Sequence, residues 1–143
     1  MPRQIGPRPP RMQTNSPLVL VVDDAADSRE LYAEMLRKAG YRVLQAADGV
    51  DGLAMAFAEM PSLVVMDLWM PDLDGWEATR RLKADARTRD IPVVVLTGAG
   101  LGAQTSAAEA GCDLFLVKPC FADDLVGVVG LELLKRRGSD PGA

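Results

Sequence analysis

The chain contains no histidine. That absence removes serine–histidine and cysteine–histidine nucleophilic catalysis, because no imidazole is available as the base. Cysteine is nearly absent as well. Cys112 and Cys120, with no histidine beside them, match no familiar zinc spacing and no disulfide framework. They read as two reduced packing thiols of a cytoplasmic protein. No stretch is long and uncharged enough to span a membrane, so no membrane partner is expected. Nor is there a basic stripe of the kind a nucleic-acid footprint needs: the net charge is -4, and direct nucleic-acid binding is not expected. Basic residues gather at the two ends, as Arg3, Arg8 and Arg11 and as Lys135, Arg136 and Arg137. The second group falls in the last turn of a predicted helix, where cations suit the helix dipole. The first lies in a Pro-rich segment that lacks the apolar stretch of a secretory signal.

What is present is enough apolar material, 48% of 143 residues, for the core of one domain of ordinary size. The composition divides the chain into a disordered N-terminal tail over 1–17, a folded domain over 18–137, and a short turn-like tail over 138–143. Few residues flank the folded part, so no attached output domain is expected.

Within the folded part, short apolar runs alternate with helical patterns. Leu18–Val22 is continuous Leu and Val, the pattern of a strand covered on both faces. Asp27 or Ser28 is placed to cap the following helix, whose Leu31, Met35, Leu36 and Ala39 have helical spacing and which Gly40 ends. Tyr41–Ala46 is a less apolar second strand, nearer an edge. A helix over Asp48–Met60 stops at Pro61, and Leu63–Met66 is the third strand. After the loop Trp69–Gly75 come a helix over Trp76–Ala86, a strand over Pro92–Leu96, a glycine-rich start to a fourth helix ended by Gly111, a strand over Leu114–Val117, and a final helix over Phe121–Arg137. Five such alternations call for a parallel sheet with helices on both faces. The expected class is α/β, a flavodoxin-like doubly wound sheet of five strands in the order 2-1-3-4-5 with five helices.

Ligands of such sheets bind beyond the carboxyl ends of the strands, at the switch point between strands one and three. Asp23 and Asp24, Asp67, Thr97 and Lys118 each stand at or just after the end of an apolar run. Taken singly, Asp23-Asp24 reads as a capping turn and Lys118-Pro119 as a loop. Together they bring three carboxylates, a hydroxyl and an ammonium to one edge, a set that can hold a hard divalent cation and a phosphoryl group. Adjacent carboxylates repel, and a cation offsets them. Asp74-Gly75 reads as a helix cap and a turn glycine rather than as chemistry. A rival motif, Gly98-Ala99-Gly100-Leu101-Gly102-Ala103, loosely matches a dinucleotide fingerprint. It follows the fourth strand rather than the first, and Lys118 stands where an acidic ribose contact is expected.

The text VVDD at 21–24, MDLWMPDLDG at 66–75, VLTG at 95–98 and VKP at 117–119 resembles the CheY-like, single-domain receivers of bacterial two-component response regulators. The likeness covers roughly residues 18–137. It implies that Asp67 is the phosphoacceptor, taking a phosphoryl group from a histidine kinase or a histidine phosphotransfer protein. It implies that Asp23, Asp24, Asp67 and the backbone carbonyl of Trp69 hold Mg2+. Lys118 would contact Asp67 and then a phosphoryl oxygen, and Thr97 would bond another phosphoryl oxygen and, with Phe115, form the switch. A cis Lys118–Pro119 peptide would aim the lysine. Trp69 and Ala99, two residues after Asp67 and Thr97, would modulate access of the hydrolysing water, Trp69 by shielding the phosphoryl group. Phe115 stands where the family often has Tyr, so a hydroxyl read-out is missing. The span from Thr97 to Lys118 is slightly shorter than usual, which implies a short fourth helix.

The resemblance thus implies a cytoplasmic phosphorylation switch of a two-component system or phosphorelay. It would be no enzyme beyond its own phosphoryl transfer and dephosphorylation. It would signal through an unknown downstream protein, with a second copy of the chain as a further candidate partner, or relay the phosphoryl group onward. A receiver excised from a hybrid kinase or larger regulator, and a receiver-like scaffold that works without phosphorylation, are the alternatives.

Overall fold

In a parallel sheet covered on both faces, successive side chains of a strand enter different cores, so every position of a central strand must be apolar. The computed structural model, which describes residues 16–70, 72–98 and 109–138 with side chains to 135 in the last stretch, shows this arrangement. The strands β1 (Leu18–Val22), β2 (Arg42–Ala46), β3 (Leu63–Met66), β4 (Val93–Thr97) and β5 (Leu114–Val117) form one sheet in the order β2-β1-β3-β4-β5. All neighbours are parallel, as in the registers Val22↔Ala46, Val22↔Met66, Met66↔Val95 and Thr97↔Val117. The three central strands carry the continuous runs. β2, the less apolar strand, is at an edge and mostly half-buried.

The helices are α1 (Ala26–Lys38), α2 (Gly49–Glu59), α3 (Gly75–Ala84) and α4 (Ala122–Gly138). On one face Leu20, Val22, Val64, Met66, Val93 and Val95 pack with Leu53 and Ala56 of α2 and Ala78 and Leu82 of α3. On the other, Val19, Val21, Leu63, Val65, Val94 and Leu96 pack with Tyr32 and Leu36 of α1 and Leu125 and Val129 of α4. Each strand's alternate residues serve alternate cores, which accounts for the lack of any polar face in the sequence.

Four helices are thus described where five are expected. The predicted fourth crosses residues 99–108, which lie outside the described residues, as do Ala99, the rival glycine motif beyond Gly98, and nearly all of both tails. Glu109 and Ala110 are helical, and Gly111 follows with φ 97°, a left-handed backbone suited to glycine after a helix end. Gly40, at φ 102°, ends α1 in the same way. α2 ends one residue early, because Met60 is left-handed at φ 48°; Pro61 disfavours a helical residue before it. No described helix is long and apolar enough to cross a membrane.

Candidate functional site

Hydrogen bonding between strands continues past their ends and carries the polar residues into register. Asp23 N–H donates to the Ala46 carbonyl (3.1 Å), Asp67 N–H to the Val22 carbonyl (3.0 Å) and Lys118 N–H to the Thr97 carbonyl (2.9 Å). The backbones of Asp23, Asp67 and Lys118 are therefore anchored to the sheet, so their side chains all leave it at one edge. Carboxylate oxygens of Asp23, Asp24 and Asp67, one from each, lie within 4.8 Å of one another. Asp23 and Asp67 are buried and Asp24 is exposed. The Lys118 ammonium sits between the two buried acids, 2.7 Å from Asp23 Oδ2 and 3.6 Å from Asp67 Oδ2. Its Nζ is also 5.8 Å from the centroid of the Tyr32 ring, whose hydroxyl accepts from the Cys120 N–H at 3.3 Å. The Lys118–Pro119 bond is cis. Thr97 is fully buried, and its side chain hydrogen-bonds Asp67.

The Asp23 carboxylate accepts from backbone and side-chain donors on both oxygens. Its Oδ1 accepts from the Ala25 N–H at 2.9 Å and its Oδ2 from the Ser28 hydroxyl at 2.8 Å. Arg29 donates from Nη1 to the Asp23 carbonyl at 2.9 Å, and from Nε to Gln45 Oε1 of β2 at 3.3 Å. These contacts correct the expected helix cap. The N-cap of α1 is Ala25, whose methyl side chain has no acceptor for a cap bond, and Asp27 and Ser28 already lie inside the helix, with the Ser28 hydroxyl donating to Asp23. Sequence reasoning missed Ser28 and Arg29 as site neighbours. The available signal was their spacing: they lie in the first turn of the helix after Asp23, and helical side chains lean toward the N-terminus, which here is the acidic edge.

Burial pushes the Asp67 carboxyl up; the Thr97 hydrogen bond and the Lys118 charge pull it back without cancelling that effect, and the Asp23 charge adds to the rise. An acid whose folded pKa is raised destabilises the fold once pH exceeds that pKa, and has no such effect below its unfolded value. Asp67→Asn is therefore expected to stabilise the metal-free protein at neutral pH, with the gain vanishing in acid. Thermal unfolding in EDTA across a pH series checks this; a gain independent of pH would refute the electrostatic cause. Lys118 is affected by opposed causes. Burial lowers its pKa, but the hydrogen bond to Asp23 and the charges of Asp67 and Asp23 outweigh burial and push the ammonium up. It is thus charged throughout the neutral range.

The remaining predicted residues sit at different distances from this centre. The Trp69 N–H points at Asp67 Oδ1 (3.4 Å), while the residue is 57% exposed and its indole packs edge-on against Trp76 with centroids 4.7 Å apart. Phe115 is half-buried, packed against the α2/α3 core beside β4. Cys112 and Cys120 are free thiols, half-buried and buried. Gly75 differs from its expected role. Asp74 does cap α3, accepting from the Glu77 N–H at 2.9 Å, but Gly75 is required by contact rather than by turn geometry. A Cβ there would run into the Asp67 carbonyl oxygen and come within 2.8 Å of Leu68 Cα.

The family model described as the response regulator receiver domain matches residues 19–130. The DNA-binding dual master transcriptional regulator RpaA of Synechocystis is 37% identical over 128 residues, 89% of this chain and 53% of that protein. Among solved structures, a putative response regulator from Chloroflexus aurantiacus superposes with a TM-score of 0.81 at 30% identity, covering 84% of this chain and 99% of that one. The receiver domain of the Pseudomonas aeruginosa sensor histidine kinase PA1611, solved with a magnesium ion coordinated in the active site cleft, gives 0.78 at 30% identity, covering 82% and 98%. The chain spans about half the length of RpaA and of similar curated relatives. With the matched region taking in β1 through most of α4 and every residue of the acidic edge, the chain belongs to the response regulator receiver domain family.

Proposed function

We propose that Asp67 accepts a phosphoryl group from a phosphohistidine and that the modified domain then selects a protein partner. The observation that carries this reading is the meeting of Asp23, Asp24 and Asp67 within 4.8 Å around an ammonium 3.6 Å from Asp67. The chain has no histidine, so the donor imidazole lies outside these 143 residues, on a histidine kinase or a histidine phosphotransfer protein.

Three carboxylates at this separation, one of them open to solvent, fit a hard cation such as Mg2+. Asp23, Asp24, Asp67 and the Trp69 carbonyl would hold it, and it would supply positive charge to the phosphoryl oxygens. The chain's own residues do the rest. An Asp67 carboxylate oxygen attacks phosphorus, and the P–N bond to the donor imidazole breaks with its electron pair remaining on nitrogen. An acyl phosphate forms on Asp67. Such transfers are catalysed mainly by positioning and charge neutralisation. Lys118 provides the second, since an ammonium between Asp23 and Asp67 moves readily onto a phosphoryl oxygen of the modified Asp67. Thr97 supplies a hydroxyl to another. Water attack on phosphorus later releases phosphate and restores the carboxylate, so the chain turns over its own modification and no separate substrate. Trp69, whose N–H donates to Asp67 Oδ1 at 3.4 Å, would flank that phosphorus.

The signal is a population shift. A phosphoryl group adds charge and acceptors at the sheet edge, and these favour the arrangement of Thr97, Phe115 and the β4–β5 side of the domain that meets the group. The readout is a downstream protein, or onward relay, in the cytoplasm.

Incubation with acetyl phosphate and MgCl2, followed by intact mass measurement, tests the reading. One added phosphoryl mass is expected, absent in EDTA and absent in Asp67→Asn. No added mass in the unsubstituted chain would overturn the proposal in favour of a scaffold that binds without phosphorylation. Persistence of the added mass in Asp67→Asn would place the acceptor elsewhere.

A further inference from the structure

The Ser28 hydroxyl is not a helix cap, and the question is what it does on Asp23. Asp23 has two oxygens with about four acceptor positions between them. The Ala25 N–H takes one on Oδ1, and Ser28 and Lys118 take two on Oδ2, at 2.8 and 2.7 Å. Arg29 meanwhile fixes the backbone of Asp23 by its carbonyl and ties it to Gln45 of β2. With the backbone held, the orientation of the carboxylate about its own bond is set by these three donors. Two of them, Ala25 and Ser28, belong to the start of α1; the third is the mobile end of a lysine.

We propose that Ser28 is a positioning residue for the divalent cation: it holds Asp23 so that its remaining acceptor position on Oδ1 faces Asp24 and Asp67, against the pull of Lys118. The inference rests on the cation use argued above. Without the hydroxyl, Oδ2 is bonded to Lys118 alone. The carboxylate turns toward the ammonium, the pair tightens, and the cation loses both an aligned ligand and the neutral donor that kept Lys118 from dominating Asp23. Partners that orient a metal ligand contribute about 10–100-fold to metal affinity in general.

The experiment is a MgCl2 titration of tryptophan fluorescence. Trp69, bonded by its N–H to Asp67 and stacked on Trp76, reports on the site. The unsubstituted chain should saturate. Ser28→Ala should need about tenfold more Mg2+, and Ser28→Thr, which keeps the hydroxyl, should bind near the original affinity. Thermal unfolding in EDTA is measured on the same proteins. A role confined to holding the fold together would lower the unfolding midpoint of Ser28→Ala and leave its Mg2+ titration unchanged; that result overturns the inference. So does a Ser28→Thr chain that binds as weakly as Ser28→Ala while remaining folded. A saturable response in the unsubstituted chain and an equal one in Ser28→Ala would refute this inference alone. No response in the unsubstituted chain would refute it together with the cation reading.

Discussion

Lys118→Met is expected to slow phosphorylation of Asp67 by about 10²–10³-fold, the usual cost of removing one preorganised charge or donor from a developing anion. Methionine keeps most of the aliphatic stem, so packing against Tyr32 changes little, while the ammonium is lost from between Asp23 and Asp67. Two buried carboxylates then face each other with no protein cation between them, and like charges disfavour joint ionisation. The metal-free variant should accordingly be less stable than the parent at neutral pH and recover as pH falls through the Asp67 pKa, which burial already raises. Mg2+ should recover part of that stability but not the rate, because a cation held by the carboxylates does not replace an ammonium that moves onto the phosphoryl group. Time courses of mass gain with acetyl phosphate at saturating MgCl2 decide the first point. A variant phosphorylated at the parent rate would show that Lys118 is a structural counterion only. Lys118→Arg is not expected to restore the rate, since a planar guanidinium and a compact ammonium place charge differently.

Gly75→Ala is expected to destabilise the domain by about 2 kcal/mol, within the usual range for forcing an extra methyl into a packed site, and to slow phosphorylation at the same time. The two effects have one cause. The added Cβ meets the Asp67 carbonyl oxygen and lies 2.8 Å from Leu68 Cα and 2.9 Å from the Asp67 carbonyl carbon. These are backbone atoms, which cannot swing aside as the end of a flexible side chain would. The Gly75 N–H also donates to the Leu68 carbonyl at 3.1 Å, so α3 cannot back away without giving up that bond. Relief must come from the backbone that carries the phosphoacceptor. Gly127→Ala in α4, where a Cβ meets nothing within 4 Å, is the control: it should be neutral or stabilise by up to about 1 kcal/mol from helix propensity. Chemical denaturation of the three proteins, alongside their rates of mass gain, separates the cases. A Gly75→Ala chain with parental stability and rate would mean that the loop relaxes freely.

What could be read from the sequence alone were features whose signal is local. A strand covered on both faces must be apolar along its covered length, and β1, β3 and β4 up to Leu96 are. A doubly wound order sends strand ends to one edge, so a polar residue directly after an apolar run is placed without any coordinate; Asp23, Asp67, Thr97 and Lys118 could be located on that ground. Gly40 and Gly111 were legible because a left-handed residue after a helix favours glycine wherever it occurs. The less apolar β2 could be assigned to an edge by composition.

The tertiary structure decided matters that depend on which groups meet across distant segments. Ser28 looks like a helix cap because capping is a local competition for N–H groups; its hydroxyl goes instead to Asp23, a near neighbour in sequence whose carboxylate is held in place by the bond of its N–H to Ala46 of β2, and that anchor is set by sheet register. Gly75 looks like a turn glycine because Asp-Gly is turn chemistry; its small size is needed because α3 starts against the Asp67 carbonyl, a distance no local pattern encodes. That Lys118, 95 residues from Asp23, lies nearer to Asp23 than to Asp67 likewise follows from how β5 is held against β4. Local chemistry chose the residue types and the edge on which they stand. Long-range packing chose which oxygen each donor reaches, because angstrom-scale separations between strands are set by the core beneath them.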